Sequence, residues 1–130
     1  MQSHQRGLIL FLKDGARKEH RPVLVVSPKN LNGGDTIRGV PFGSQQIEYR
    51  KTLPTCVHFS QGEFGLEKEC HALSQFLAEF KLSEFKPGLS EGPVSEEKML
   101  EVSKALCASL GVDFHQLCNA YPQQKLMPPR

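Results

Sequence analysis

The chain contains no tryptophan and only two tyrosines among its 130 residues, so aromatic stacking platforms are scarce. Long apolar runs are missing too. LILFL at 8–12 and VLVV at 23–26 fall far below the roughly 18–20 residues that a membrane-spanning helix needs. The run that follows MQSHQRG is too short for a secretory h-region, and no small-residue cleavage site comes after it. The expected compartment is therefore the cytoplasm, with no membrane partner. There is no C-x-x-C pair among Cys56, Cys70, Cys107 and Cys118. In a reducing compartment these are expected to be free thiols. His58, His71 and His115 lie near them in sequence, and sulfur with imidazole suits zinc. A structural zinc site normally carries paired cysteines, however, so no metal and no cofactor is expected. No internal repeat or low-complexity tract interrupts the order.

What is present bounds a single domain over residues 1–130. With 38% hydrophobic and 23% charged residues, the chain supports one modest core. The net charge of +2 is unevenly divided, +5 over residues 1–55 and −3 over 56–130. A basic first half is the footprint of a polyanionic ligand, or simply of a solvated surface.

LILFL, the turn-like DGARKEH and the β-branched PVLVV read as two antiparallel strands. After the Asn32-Gly33-Gly34-Asp35 turn, TIRGVPF reads as a third strand, broken by Gly39 and Pro41. In TCVHF, Cys56, His58 and Ser60 alternate with Val57 and Phe59, which predicts one wet and one buried face. ECHALSQFLAEF is ambiguous, since Leu73, Phe76, Leu77 and Phe80 have helical spacing while ECHALS could continue as strand. Lys86-Pro87-Gly88 and Gly92-Pro93 punctuate an expected loop. Ser95 then caps a helix with Glu96 and Glu97 in its first turn, Met99, Val102, Leu106 and Leu110 on one stripe, and Gly111 at C′. The proline-rich end, loose from about residue 119, completes the chain. The sum is mainly β with α: a small barrel or sandwich with one C-terminal helix packed on it.

GLILF, RPVLVVS, an Asn-containing turn, a strand ending in PFGS, LPTCVHF, GEFGLEKE and a closing helix, in that order over residues 7–111, resemble the MazF/PemK toxins of type II toxin–antitoxin systems. The resemblance implies an SH3-like β-barrel, a homodimer, and a metal-independent endoribonuclease that cuts single-stranded mRNA at specific sequences to stop translation and growth. It also implies an acidic antitoxin as partner, and a strand start at Cys70. In the family the arginine of the RP pair sits at the RNA site, and here that residue is Arg21. Metal-free cleavage drives the 2′-hydroxyl onto the adjacent phosphate, so a proton must be taken and extra negative charge held. A guanidinium suits the second task, because it stays protonated and grips two oxygens. His20 has the chemistry for the first; neighbours in a strand point to opposite faces, so the two converge only if the chain is still in a loop there.

The chain departs from the family in two places. Its first loop, DGARKEH, is short, and Gly43 stands where the family carries a threonine, with Ser44 next to it to supply a hydroxyl. Arg17 and Lys18 in the first loop, with Gln45, Gln46, Arg50 and Lys51 in a loop beyond the third strand, are the candidate RNA contacts. Amides read base edges and cations hold phosphates. Arg6 adds to the same charge, and Phe42 and Tyr49 are the nearest aromatics. Two other classes stand beside the ribonuclease: a non-catalytic nucleic-acid- or protein-binding member of the same fold, and a gyrase-poisoning toxin like CcdB, whose tryptophan-containing terminus YPQQKLMPPR does not resemble.

Overall fold

In the computed structural model the described residues are 5–13, 21–28 and 34–120, the side chains of 117, 118 and 120 excepted. Seven strands form one curled antiparallel sheet: β1 (Ile9–Leu12), β2 (Pro22–Val25), β3 (Thr36–Gly43), β4 (Cys56–Phe59), β5 (Cys70–Leu73), β6 (Ala78–Lys81) and β7 (Phe85–Glu91). β1 and β2 pair antiparallel, Ile9 opposite Leu24 and Phe11 opposite Pro22, as the two apolar runs predict.

β2 explains why PVLVV reads as an unbroken apolar run instead of an alternating one. Val23 and Val25 face one cluster, with Leu10, Ile37 and Phe85. Leu24 and Val26 face the other, with Ile9, Val40, Phe42 and Phe59. A strand covered on both faces has no wet side to mark. The first cluster is the inside of a five-stranded, SH3-like barrel in the order β7-β1-β2-β3-β6. Its end strands β6 and β7 are joined by a single 3₁₀ turn, Leu82–Glu84. The second cluster lies under a helix, α2 (Glu96–Ser109), through Met99, Val102 and Ala105. There Phe42 and Phe59 meet edge to face, 5.2 Å between centroids. Burying a side chain such as Phe59, fully enclosed here, contributes about 1.5–3 kcal/mol.

Gly39 and Pro41 do not break β3, which runs unbroken for eight residues. They mark where its partner changes. Thr36 to Gly39 pair with β6, Phe42 and Gly43 pair with β5, and Pro41, which has no N–H to donate, lies at the crossing. Gly39 is there for close approach: a β-carbon would run into Val23 Cγ1. Lys86-Pro87-Gly88, expected as loop, belongs instead to the edge strand β7. It bulges outward where the β1–β7 register shifts between Leu10 and Leu12, a place where a sheet tolerates proline.

The ambiguous segment resolves as strand β5, a 3₁₀ turn (Ser74–Phe76) and strand β6; the helical spacing there is incidental, and Phe76 and Leu77 are exposed. α2 begins as predicted, with Ser95 Oγ accepting from Lys98 N at 3.2 Å. It ends with Gly111 at φ 75°, Gly111 N donating to Ala108 O and Val112 N to Cys107 O, the paired bonds of a Schellman cap. Leu110 leaves the predicted stripe, being 75% exposed, and Ala105 is buried instead. A second C-terminal helix, α3 (Phe114–Ala120), follows, with Asp113 Oδ1 accepting from Gln116 N at 2.9 Å. Of the tail expected to be loose from about residue 119, the first two positions fall in α3, and residues 121–130 lie outside the described residues. No described helix is long and apolar enough to cross a membrane.

Replacing Gly39 with Ala should cost about 1–3 kcal/mol, the usual penalty for overpacking, because Val23 is fully enclosed and has nowhere to move. The urea midpoint should fall while its slope holds.

Candidate functional site

The change of partner along β3 sets four strands side by side at one end of the sheet. Stepping the β2–β3 register past Val23–Pro41 brings Arg21 opposite Gly43. Leu12 N still donates to Arg21 O at 2.9 Å, so Arg21 continues the ladder rather than leaving it. Gly43 pairs with His71 on β5, and His71 with His58 on β4. Arg21, Gly43, His71 and His58 thus form one row across the sheet, and opposed residues share a face.

Arg21 is exposed. Ser44, Gln45 and Gln46 are exposed beyond the end of β3, with Gln46 held at φ 51°, uncommon for a residue with a side chain. The expected loop then makes one helical turn, α1 (Ile47–Arg50), which brings Arg50 back over the row. Its guanidinium occupies the space that a β-carbon on Gly43 would take, next to Leu73 Cδ1. The absent side chain at 43 is therefore replaced in space by a cation. Arg50 is not a free loop residue: Nη1 is buried and has no hydrogen-bond partner among the described residues.

The remaining sequence candidates divide. Lys51 is exposed and lies 3.6 Å from Glu48 Oε1. Tyr49 is exposed on α1, whereas Phe42 belongs to the core. Arg6 does not join the site, because Nη1 donates to Val26 O at 2.6 Å and Nη2 to Ser103 Oγ at 2.9 Å. It ties the barrel to α2, and burial pulls its pKa below the usual value. Arg17, Lys18 and His20 lie outside the described residues.

Sequence reasoning missed the other half of the row. His58 Nε2 and Glu69 Oε2 are 2.5 Å apart, and the bond from His58 holds the Glu69 carboxyl below the usual carboxylate range. The His58 and His71 rings meet edge to face at 5.2 Å. His71 is fully buried with both ring nitrogens unpartnered among the described residues; burial, then His58 and Arg50, push its pKa down. Ser74 Oγ, next along the chain from β5, is buried and unpartnered as well. The alternation of TCVHF did place His58 on the wet face, but only the β4–β5 register shows that His71 stands beside it. Cys56, Cys70 and Cys107 carry free thiols, and burial pushes the Cys70 thiol up to about 12, the value of an inert core residue. Among the described residues no cluster of three or more potential ligands is arranged to hold a metal.

No protein-family model matches the sequence, and no curated protein matches it. Solved structures do. An endoribonuclease from a mycobacterial species superposes with a TM-score of 0.67 at 19% identity, covering 86% of this chain and 95% of that one. A mycobacterial endoribonuclease in complex with its cognate antitoxin gives 0.65 at 19%, covering 88% and 99%. A MazE–MazF structure from Deinococcus radiodurans gives 0.65 at 19%, covering 87% and 100%. The chain has the MazF fold, as the order of its motifs implies.

Replacing His71 with Leu should raise stability by about 1 kcal/mol, because it removes a buried group with no partner. It should also remove a pH dependence. The native pKa of His71 lies below the usual 6.5, so the unfolded chain takes up a proton first as pH falls. The unaltered protein should thus lose stability as pH drops through that value, levelling off below the native pKa. Thermal melts on either side of it should show this loss in the parent and not in the variant.

Proposed function

We propose that the protein is the toxin of a type II toxin–antitoxin pair, a metal-independent endoribonuclease that cuts single-stranded mRNA at specific sequences and so arrests translation and growth. The observation that supports it most is the pair of guanidinium groups, Arg21 just before β2 and Arg50 above Gly43, on a fold shared with structures named as endoribonucleases. Two cations on one face hold the phosphate and offset the charge that grows as the 2′-oxygen attacks. Ser44 supplies a hydroxyl at the end of β3, where Gly43 has none. Gln45, Gln46 and Lys51 line the approach, the amides reading base edges and the ammonium meeting phosphate, and exposed Tyr49 offers a face for one base. Arg17 and Lys18 extend the positive charge along the strand of RNA, and His20 adjoins Arg21 as a candidate proton carrier.

The protein works in the cytoplasm as a homodimer, the exposed Phe76, Leu77, Leu100 and Leu110 supplying apolar surface for a second copy or an antitoxin to cover. The antitoxin is acidic and disordered alone, and orders on the toxin with its carboxylates near the phosphate sites.

Purified protein should cut a mixed single-stranded RNA with EDTA present, and Arg21→Ala should lower the rate by about a hundredfold or more while the fold is kept by circular dichroism. Full cleavage by a folded variant would remove Arg21 from the mechanism. Sedimentation at micromolar concentration should give twice the chain mass. An acidic protein encoded beside this one should displace labelled RNA, less effectively as salt rises; simultaneous binding of both would place inhibition on another surface.

A further inference from the structure

The row of site residues has cations at one end and, at the other, a histidine paired with a carboxylate that the phosphate-binding role does not use. The two arginines remain charged at any working pH and a serine hydroxyl is a poor base, His71 is buried and His20 lies outside the described residues, so His58 is the accessible imidazole on the row for the proton that 2′-hydroxyl attack releases. We infer that His58 is the general base for RNA cleavage and that Glu69 is the residue that positions it. This rests on the ribonuclease function proposed above.

Three features of the geometry carry the inference. His58 and Glu69 are each partly exposed, with side chains 34% and 44% accessible, so both substrate and solvent reach the pair. The histidine is anchored by its backbone: Lys98 Nζ on α2 donates to His58 O at 2.6 Å. The ring borders a cleft of about 440 Å³ between the β4 edge and α2, lined also by Lys51, Cys56, His71 and Lys104, with room for a nucleotide. With Nε2–H donating to the Glu69 carboxylate, Nδ1 is the free acceptor. A carboxylate in this position fixes the tautomer and stabilises the imidazolium that forms, as it does wherever histidine acts as a base beside an acid. Three strand spacings of about 4.8 Å separate His58 from Arg21 along the row, a gap that a nucleotide closes together with the long Arg21 side chain.

The step balances without a further reagent. Nδ1 of His58 takes the 2′-hydroxyl proton as the 2′-oxygen bonds to phosphorus. The bond from phosphorus to the 5′-oxygen breaks, and that oxygen leaves with a proton from water. The imidazolium then returns its proton to solvent, neutralising the hydroxide. The products are a 2′,3′-cyclic phosphate and a 5′-hydroxyl, and nothing is oxidised or reduced.

The groups facing His58 are Glu69 and His71 from β5 and its approach, Lys51 after α1, and Lys98, Glu101 and Lys104 from α2. Glu69 is the anion in direct contact, so its removal should free the ring to turn. The experiment is a pH–rate profile on a short RNA for the parent, His58→Gln and Glu69→Gln, with affinity for a 2′-deoxy, uncleavable analogue and thermal melting measured in parallel. His58→Gln should lower kcat by about 10²–10⁴-fold, the range of general base catalysis, abolish the acid limb of the profile and leave analogue affinity unchanged. Glu69→Gln should lower kcat less and leave KM unchanged, with part of the rate restored in Glu69→Asp. A folded His58→Gln protein with the parent rate and profile would overturn the assignment while leaving the ribonuclease function in place. Intact RNA with the parent protein would overturn both.

Discussion

Everything that bears on the site depends on β3 changing its hydrogen-bonding partner midway. One strand closes the barrel with β6 over its first half and carries the β4–β5 hairpin on its last two residues. Proline at the crossing ends one ladder without ending the strand. Had β3 stayed with β6 throughout, His71 and His58 would have no place beside Gly43, and the cations would stand alone at the barrel rim. The full burial of β2 makes this arrangement rigid. A strand packed on both faces cannot slip by one residue without exchanging its two clusters, so the position of Arg21 is fixed by side chains several residues away.

The site is also where local rules of stability are broken. Buried polar groups in folded proteins nearly always find partners, yet Arg50 Nη1 and His71, both next to Gly43, and Ser74 Oγ, just after β5, have none among the described residues. Elsewhere the chain follows the rules closely: Ser95 caps α2, a Schellman turn closes it, and Arg6 satisfies both Val26 and Ser103. Local costs concentrated at one spot in an otherwise consistent structure are what a functional site looks like.

Much of the fold could be read from the sequence because its signals are local. The hairpin of β1 and β2, the wet face of β4 and both ends of α2 follow from alternation, β-branching and capping residues within a few positions of one another. Failures came where the deciding contact is distant. Gly39 and Pro41 look like breakers, but Val23 and the partner exchange give them their meaning. Pro87 and Gly88 look like loop until β1 is seen to accommodate them as a bulge. The ambiguous stretch from Cys70 has helical spacing, yet β3 takes both of its halves as strands. The site divides in the same way. Arg21 is a candidate because it belongs to a short motif, RPVLVVS, whereas the pairing of His58 with Glu69 depends on a register that no local pattern encodes.

The guanidinium resting on Gly43 has a consequence for how sequences with this architecture vary. A β-carbon at 43 would meet the end of the Arg50 side chain, so any residue other than glycine there displaces the guanidinium from its present place. A relative bearing a side chain at 43 must direct residue 50 elsewhere or carry a smaller one there, and a relative with glycine at 43 is free to keep arginine. The open space at Gly43 is thus what lets the cation come from the helical turn after the strand rather than from the strand's own end.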